Sequence, residues 1–141
     1  MNIYADTSVF VALHLSEAHS AEARRRINQK QRLWLTPLHR AEWTHAIAQH
    51  VFRGAISDQE AFHFYAAFEA DRKSNLWMES SISAAAYERA VELARKHGSQ
   101  MAMRTLDTLH IACALEFGAG EFWTFDERQE RLARAVGLSI S

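Results

Sequence analysis

The chain alternates short, mostly apolar runs with longer stretches in which apolar positions recur at helical spacing. Runs of three or four apolar residues without polar alternation are typical of strands that are buried on both faces of a parallel sheet. The pattern predicts four such strands and favours a fifth near the C-terminus. Their ranges are Asn2–Ala5, Leu33–Leu35, Leu76–Met78, Phe122–Phe125 and Leu138–Ile140.

Helical patterns fill the intervals between these runs, and several carry recognisable start or stop signals. Pro37 falls in the first turn of one helix, where its missing N–H costs little. Ser57 and Glu60 have the spacing of a capping box. Gly98 and Gly118 each follow a helical stretch and indicate its end. The predicted helices are Ser8–Leu15, Glu17–Lys30, Thr36–Arg53, one that begins after Ser57, Ser83–His97, Thr105–Phe117 and Asp126–Val136.

The alternation of strands and helices predicts a parallel sheet with helices packed on both of its faces. We therefore expect a helix-rich α/β fold, a three-layer α/β/α sandwich with a short-stranded central parallel sheet. The chain has 141 residues, one proline and five glycines, and its sequence contains no segment that resembles a linker. We expect residues 1–141 to form a single domain.

The composition narrows the class of protein. Apolar residues make up 48% of the chain, charged residues 23%, and the formal net charge is −1, which excludes binding of polyanions through bulk charge. Cys113 is the only cysteine, so the chain cannot form an internal disulfide or a C-x-x-C site. No apolar run reaches the ~18 residues of a membrane span, and the N-terminus lacks the basic start of a signal peptide. We expect a cytoplasmic protein that does not bind a membrane.

Four carboxylates occupy positions at which the predicted topology gathers side chains. Asp6 follows the first strand directly, and Asp126 follows the fourth. Glu42 lies about one and a half turns into the helix after the second strand, and Asp107 lies in the first turn of an otherwise apolar helix. Ligands of open α/β sheets bind outside the carboxyl ends of the strands. We therefore expect these four side chains at one edge of the sheet.

Two of the four carboxylates also have a simpler interpretation. Asp6 and Asp126 each stand where an aspartate can cap the helix that follows, and the sequence leaves this interpretation open. Glu42 has apolar neighbours on its face of the helix, which indicates that it points partly inward. Asp107 needs a partner, because an unpaired buried charge is costly.

A cation is the partner that would hold four carboxylates together, because close carboxylates repel each other by about 1 to 4 kcal/mol per pair. Ligand sets made only of oxygen favour hard ions such as Mg²⁺ or Mn²⁺. A small acidic site that leaves several waters on such an ion suits the hydrolysis of phosphodiesters. Arginine or lysine at the rim would contact the substrate backbone.

Four features taken together resemble the PIN domain, and in particular the VapC-type ribonuclease toxins of type II toxin–antitoxin systems. They are D-T-S after the first strand, the inward Glu42, R-T-L-D-T-L-H-I-A-C-A-L from Arg104, and F-W-T-F-D ending at Asp126. The resemblance covers essentially the whole chain and is strongest between Arg104 and Leu138. It implies a metal-dependent endoribonuclease with Mg²⁺ or Mn²⁺ as its cofactor.

The resemblance also implies a role for each carboxylate that matches the family pattern. Asp6 and Asp107 would be the central metal ligands. Glu42 and Asp126 would bind the ion directly or through water. The four together would form the catalytic set of the enzyme.

Three further residues and several partners follow from the same resemblance. Ser8 and Thr124 match the positions of hydroxyls that orient carboxylates or water. Arg104 either contacts a substrate phosphate or neutralises the acid one turn away, and the sequence leaves both open. The implied partners are an RNA substrate, a second copy of the chain in a homodimer, and a cognate VapB-like antitoxin.

Two rival interpretations are open at the level of sequence. Glu42 with His45, and Asp107 with His110, have the spacing that di-iron helical bundles use, but the two remaining acids follow strands, which such bundles lack. A catalytically inactive PIN-fold module that binds RNA or protein is the other alternative, and the presence of all four acids argues against it. Outside the acids, His110 is interpreted as a core or supporting residue and His19 as a surface or packing residue.

Overall fold

The computed structural model describes residues 2–27 and 32–140. The C-terminal end of the predicted helix Glu17–Lys30 lies outside these residues. Within the two described ranges, no helix combines the length and the apolar character needed to cross a bilayer. In chain order the elements are β1 (Asn2–Ala5), α1 (Thr7–His14), α2 (Ser20–Ile27), β2 (Arg32–Leu35), α3 (Pro37–Phe52), α4 (Asp58–Lys73), β3 (Met78–Glu79), α5 (Ala84–His97), α6 (Thr105–Phe117), β4 (Glu121–Trp123) and α7 (Glu127–Ala135).

The strands form a parallel sheet in the order β3-β2-β1-β4. β1 is central, because Ile3 pairs with Leu33 of β2 on one side and with Glu121 of β4 on the other. Trp34 pairs with Met78 and so extends the sheet to β3. The strand order reverses between β1 and β4, and a crevice at such a reversal is the usual ligand site of open α/β sheets.

Side chains alternate between the two faces of the sheet and divide the core into two apolar clusters. Ile3 and Ala5 of β1 pack with α1 to α4, whereas Tyr4 between them packs with α5 to α7. In β4, Trp123 belongs to the first cluster and Phe122 to the second. Helices therefore cover both faces, and the predicted three-layer α/β/α sandwich is confirmed.

The third strand begins later in the chain than its apolar run predicts. The prediction placed it at Leu76–Met78, but β3 comprises Met78–Glu79. Asn75 has a φ of 59°, and this left-handed turn leaves Leu76 half exposed before the chain enters the sheet. The apolar run thus marks the approach to the strand.

The strands on the other side of β1 are shorter than predicted. β4 comprises Glu121–Trp123, whereas the prediction was Phe122–Phe125. The ladder ends where the backbone N–H of Asp6 donates to the carbonyl of Trp123 at 3.0 Å. The predicted fifth strand is reduced to an isolated parallel bridge made by Ile140. The early end of β4 turns the following residues into a loop at the carboxyl edge.

The start of α2 is the helix boundary that differs most from its prediction. The prediction began this helix at Glu17, whereas α2 begins at Ser20. The Ser20 hydroxyl donates to the carbonyl of Leu15 at 2.5 Å and accepts from the N–H of Glu17 at 2.9 Å. These bonds hold the segment as a turn, which places His19 at the carboxyl edge of the sheet beside the loop after β4.

Candidate active site

A cavity of about 770 Å³ opens at the carboxyl ends of β1 and β4. The structure brings the four carboxylates singled out from the sequence together on its wall, along with Ser8 and Arg104. Thr124 lies behind the wall, where its hydroxyl bonds to Asp6. The lining residues are Asp6, Thr7, Ser8, His19, Glu42, Arg104, Asp107, His110, Phe125, Asp126, Glu127 and Arg128.

Asp6 is the most deeply buried of the four carboxylates, with 7% of the residue exposed. It occupies the N-cap position of α1, but its side chain makes no capping bond to the described backbone of that helix. The capping interpretation is therefore wrong for Asp6. Instead, the Ser8 hydroxyl donates to Oδ1 at 2.5 Å and the Thr124 hydroxyl lies 3.0 Å from Oδ2. Both oxygens are held in place by neighbouring side chains.

The surroundings of Asp6 make its negative charge costly. Burial raises the pKa of the Asp6 carboxyl, and the nearby Asp107 carboxylate raises it further. The hydrogen bonds from Ser8 and Thr124 and the interaction with His110 oppose this rise without cancelling it. A carboxylate in such an environment gains stability from a bound cation, because the cation favours the charged form.

Glu42 accepts two hydrogen bonds on the same carboxylate oxygen. The Thr7 hydroxyl donates to Oε1 at 2.7 Å, and Nε2 of His110 lies 2.5 Å from the same atom. Because an ionised carboxylate can only accept, Nε2 carries a proton and donates it to Oε1, and Nδ1 lies 2.7 Å from the Tyr4 hydroxyl oxygen. Oε2 of Glu42 has no hydrogen-bond partner among the described residues. This oxygen is the one left for a ligand in the cavity.

The charge states of Glu42 and Tyr4 follow from their contacts and burial. Burial by itself would raise the pKa of Glu42, but its interactions with His110, Thr7 and Arg104 outweigh burial and lower the pKa below its ordinary value. Burial raises the pKa of the Tyr4 hydroxyl well above its ordinary value. At neutral pH Glu42 is therefore ionised, whereas Tyr4 keeps its proton and can donate it.

The first turn of α3 sets the position of Glu42. Thr36 caps this helix, and His39 completes a capping box in the place usually taken by Glu or Gln. The Thr36 N–H donates to Nδ1 of the fully buried His39 ring at 3.0 Å, and Nε2 donates to the carbonyl of Ala5 at 2.7 Å. This last bond ties α3 to the end of β1. Glu42, one turn further on, consequently reaches the same cavity as Asp6.

Asp107 enters the cavity from the first turn of α6 with a partner at the rim. Nε of Arg104 lies 3.5 Å from Oδ2 of Asp107, and 82% of the Arg104 side chain is exposed. An exposed ion pair at this distance contributes little to stability. The contact therefore screens Asp107 without fixing the arginine, whose guanidinium can reach an anion at the mouth of the cavity.

Asp126 is both a helix cap and a member of the cavity wall. Its Oδ1 accepts hydrogen bonds from the backbone N–H groups of Arg128 at 2.8 Å and Gln129 at 3.3 Å. The capping interpretation is thus confirmed for this aspartate. It does not exclude a second role, because a carboxylate has a second oxygen and further lone pairs.

A buried set of polar contacts supports the carboxylates from behind. The Thr124 hydroxyl lies 2.7 Å from Oε1 of Gln129 and accepts from the backbone N–H of Asp126 at 3.0 Å. The fully buried Gln129 donates from Nε2 to the carbonyl of Asp107 at 3.2 Å. Together with the contact to Asp6, these bonds connect the residues that follow β1 and β4 with α6 and α7 beneath the cavity.

Sequence patterns alone did not indicate three polar residues that support the site. Thr7 is adjacent to Asp6, but only the fold brings it to Glu42. His39 and Gln129 each lie three residues after a helix cap, a spacing that could have indicated a capping partner. Their long-range bonds could not be inferred from spacing, because they join elements that are distant in the chain.

The side chains in the cavity that could bind a metal ion offer mainly oxygen atoms, and they do not enclose an ion completely. Within residues 2–27 and 32–140, no three His, Cys, Asp or Glu side chains converge closely enough to form a complete ion cage. His45, which the di-iron interpretation requires, is exposed and lines a different cavity. Mg²⁺ is commonly held by one or two carboxylates and several waters. The buried Asp6 carboxylate suits such an open site.

Solved structures share this fold over nearly their whole length. VapC20 of Mycobacterium tuberculosis, described as a toxin that cleaves the sarcin–ricin loop, has 20% identity and a TM-score of 0.71, with 96% of this chain and 95% of that chain covered. VapBC2 of Rickettsia felis, bound to a promoter DNA fragment, has 13% identity and a TM-score of 0.72, with 100% and 98% covered. A toxin–antitoxin complex from Klebsiella pneumoniae has 15% identity and a TM-score of 0.58, with 90% and 88% covered. At these identities the likeness concerns the fold.

The sequence comparisons address the family directly. No curated protein sequence matches the chain. The family model of the PIN domain matches residues 3–135. This range includes residues of all four strands of the sheet and all four cavity carboxylates. By this match, the chain belongs to the PIN domain family.

Proposed function

We propose that this chain is a metal-dependent endoribonuclease that hydrolyses RNA phosphodiester bonds as the toxin of a toxin–antitoxin pair, with residues 1–141 as one nuclease domain. One observation carries the proposal. Asp6, Glu42, Asp107 and Asp126 come from four separate segments of a PIN-family chain and line one cavity at the carboxyl edge of its sheet. Hydrolysis of a phosphodiester at an acidic cavity needs a positive charge, and a divalent ion supplies it.

The proposed cofactor is Mg²⁺ or Mn²⁺, held centrally by Asp6 and Asp107. Glu42 and Asp126 bind the ion directly or through water. When bound, the ion supplies an activated water and neutralises negative charge that develops on the phosphate. Ser8 holds Asp6 by the bond described above, so that this carboxylate need not reorganise during the reaction.

The other side chains around the ion have supporting roles in this proposal. Thr124 fixes the second oxygen of Asp6, and His110 with Thr7 fixes Oε1 of Glu42. Arg104, which is largely exposed, and Arg128, which is half exposed, both line the cavity and contact phosphates of the RNA backbone.

The proposed partners are a VapB-like antitoxin and a second copy of the chain, in the cytoplasm. The Klebsiella pneumoniae neighbour is a toxin–antitoxin complex by its own description, which supports an antitoxin partner here. Light scattering at micromolar concentration tests the homodimer, and a monomeric mass contradicts it. Purification of the tagged chain from its native cells, with bound proteins identified by mass spectrometry, tests the antitoxin.

A cleavage assay on total cellular RNA tests the enzymatic activity. The chain is incubated with Mg²⁺ or Mn²⁺, or with a chelator, and the cut ends are mapped by sequencing. The same assay is run on Asp6→Asn and on Asp58→Asn, an identical substitution at an exposed position on α4. We expect metal-dependent cuts at a few sites that disappear in Asp6→Asn and persist in Asp58→Asn.

Two other outcomes have a definite meaning. Absence of cuts from a folded protein that binds Mn²⁺ contradicts the nuclease and favours the inactive PIN-fold module that binds RNA or protein. Cuts that persist in Asp6→Asn indicate a contaminating nuclease or a different catalytic site.

A further inference from the structure

Two aromatic rings form a stack on one wall of the acidic cavity. His19 lies in the turn between α1 and α2, and Phe125 lies in the loop between β4 and α7. Their ring centroids are 4.2 Å apart and their planes differ by 7°. Both residues line the same cavity as the four carboxylates. The stack therefore belongs to the surface that a bound substrate would meet.

The two rings differ in how much of their surface is covered. Phe125 is half-buried and its other neighbour is Trp123, with centroids 5.9 Å apart in an edge-to-face arrangement. His19 is exposed, and Phe125 is the aromatic ring packed against it within the described part of the chain. An imidazole has two faces, and Phe125 covers one. Because His19 is exposed, part of its ring surface beyond this stack stays accessible to a ligand.

The backbone around both rings is held in place. The Ser20 hydroxyl, through its bonds to Leu15 and Glu17, fixes the turn that carries His19. Phe125 lies between Thr124 and Asp126, and both of these residues take part in the polar contacts beneath the carboxylates. The exposed ring face is thus preorganised and adjacent to the acids. A fixed, flat ring face loses little conformational entropy when a second ring packs on it.

We propose that the His19–Phe125 stack is a platform for one unpaired nucleobase of the RNA whose backbone enters the acidic cavity. This inference rests on the proposed function, because it assigns the substrate class to single-stranded RNA. Proteins that bind unpaired RNA stack its bases on aromatic side chains, histidine included. Every base offers a flat face, so a platform of this kind binds without requiring a particular base.

The charges around the platform fit a nucleotide better than an apolar peptide. Arg104 and Arg128 line the same cavity. Nε of Arg104 lies 3.5 Å from Oδ2 of Asp107, and Nε of Arg128 lies 3.8 Å from Oδ1 of Asp126. A nucleotide places an anionic phosphate and a flat base on opposite sides of one sugar. The cavity offers cationic groups and a ring face as partners for these two parts.

The binding test uses an unstructured RNA ten-mer with 2-aminopurine at a central position, in the presence of a chelator so that no cleavage occurs. Fluorescence anisotropy gives the affinity, and quenching of 2-aminopurine reports stacking. The variants are His19→Ala, which removes the ring, and His19→Phe, which keeps a ring without the imidazole nitrogens. His63→Ala is the matched control, because His63 contacts Phe62 in an exposed aromatic pair outside the cavity.

We expect the wild-type chain to quench 2-aminopurine on binding. His19→Ala should bind roughly 5- to 150-fold more weakly and lose the quenching, the range that corresponds to removal of one base–aromatic stack. His19→Phe should retain both affinity and quenching, and His63→Ala should behave as the wild type. Because His19 is exposed, all variants should melt at the wild-type temperature.

The inference is overturned if His19→Ala binds and quenches as the wild type does, since the stack then only packs one loop on another. It is also overturned if His19→Phe loses affinity and quenching as His19→Ala does, because the RNA then contacts the imidazole nitrogens. A wild-type chain that neither binds the ten-mer nor quenches its 2-aminopurine overturns it as well. The cleavage assay on total RNA is read separately. Quenching without cleavage contradicts the nuclease alone, and cleavage with unchanged binding of His19→Ala contradicts the platform alone.

Discussion

Nε2 of His110 lies 2.5 Å from Oε1 of Glu42, a contact between residues 68 positions apart in the chain. His110 is 2% exposed and its other ring nitrogen is held by the Tyr4 hydroxyl, so the direction of its N–H is fixed. This contact determines which oxygen of Glu42 faces the cavity. Groups that orient metal-binding carboxylates commonly contribute a factor of about 10 to 100 to metal affinity or activity.

We predict that His110→Leu weakens Mn²⁺ binding and slows cleavage by roughly 10- to 100-fold, whereas His110→Gln retains most of both. Glutamine can place an N–H donor near the position of Nε2, and leucine cannot. Isothermal titration with Mn²⁺ and single-turnover cleavage measure the two effects. Thermal melting of each variant shows whether it is folded.

A double-mutant comparison tests whether His110 acts by positioning Glu42 or by packing the cavity as a whole. If His110 acts through Glu42, then His110→Leu should cause no further loss of Mn²⁺ affinity in a Glu42→Gln background. Equal losses in both backgrounds would mean that His110 supports the fold of the cavity as a whole, independently of Glu42.

We predict that Asp6→Asn raises the melting temperature at neutral pH in the absence of metal. Burial raises the pKa of Asp6 in the folded chain above its unfolded value, so the stability contributed by its protonated form is lost as pH rises through the folded pKa. Asparagine removes this dependence, because it carries no charge at any pH. The gain should vanish below the unfolded pKa of about 4.

The wild type and Asp6→Asn also test whether Asp6 binds the metal ion. Addition of Mn²⁺ should raise the melting temperature of the wild type, because a ligand that binds only the folded state stabilises it, and should leave Asp6→Asn nearly unchanged. Asp58→Asn, at an exposed site, should match the wild type with and without Mn²⁺. A lower melting temperature for metal-free Asp6→Asn at pH 7 would show that the hydrogen bonds of Asp6 outweigh the cost of its burial.

We predict that His39 makes the fold sensitive to mild acid. Burial lowers the pKa of His39 well below its ordinary value, so the folded chain keeps this ring neutral while the unfolded chain takes up a proton below pH ~6.5. Stability should fall by about 1.4 kcal/mol per pH unit from this residue between the unfolded and the folded pKa. Urea unfolding at pH 7.5, 6 and 5 measures the slope.

His39→Gln is the variant that isolates this effect. Glutamine at this position preserves the capping box of α3 and cannot take up a proton in this range. It loses the bond to Ala5, so the variant should be less stable at pH 7.5, but its stability should fall less steeply toward pH 5. Parallel slopes for the two proteins would assign the acid sensitivity to other groups.

We predict that Asp126 contributes to stability and to catalysis separately. Asp126→Asn keeps a capping oxygen for the N–H groups of α7 and should unfold close to the wild type, whereas Asp126→Ala should lose about 1 kcal/mol of stability. Both variants should lose cleavage activity, because both remove the charge. Full activity in Asp126→Asn would leave Asp126 as a cap and nothing more.

The sequence by itself determined the class of fold and indicated which four carboxylates lie together at one edge of the sheet. Short apolar runs between helical stretches are sufficient to indicate a buried parallel sheet, and carboxylates that directly follow such runs lie at its carboxyl edge. These inferences succeed because side-chain periodicity and strand direction are local properties. The same local reasoning was wrong for the start of β3, where a left-handed turn at Asn75 exposes Leu76 in place of burying it.

Only the tertiary structure decided which residues support those acids. Asp6 and Asp126 look alike in sequence, each after a strand and before a helix, yet Asp126 caps α7 while Asp6 bonds to Ser8 and Thr124. The pairing of Glu42 with His110 depends on contacts between helices on opposite faces of the sheet. Such contacts join positions far apart in the chain, and spacing carries no information about them, because they are set by the packing of whole elements.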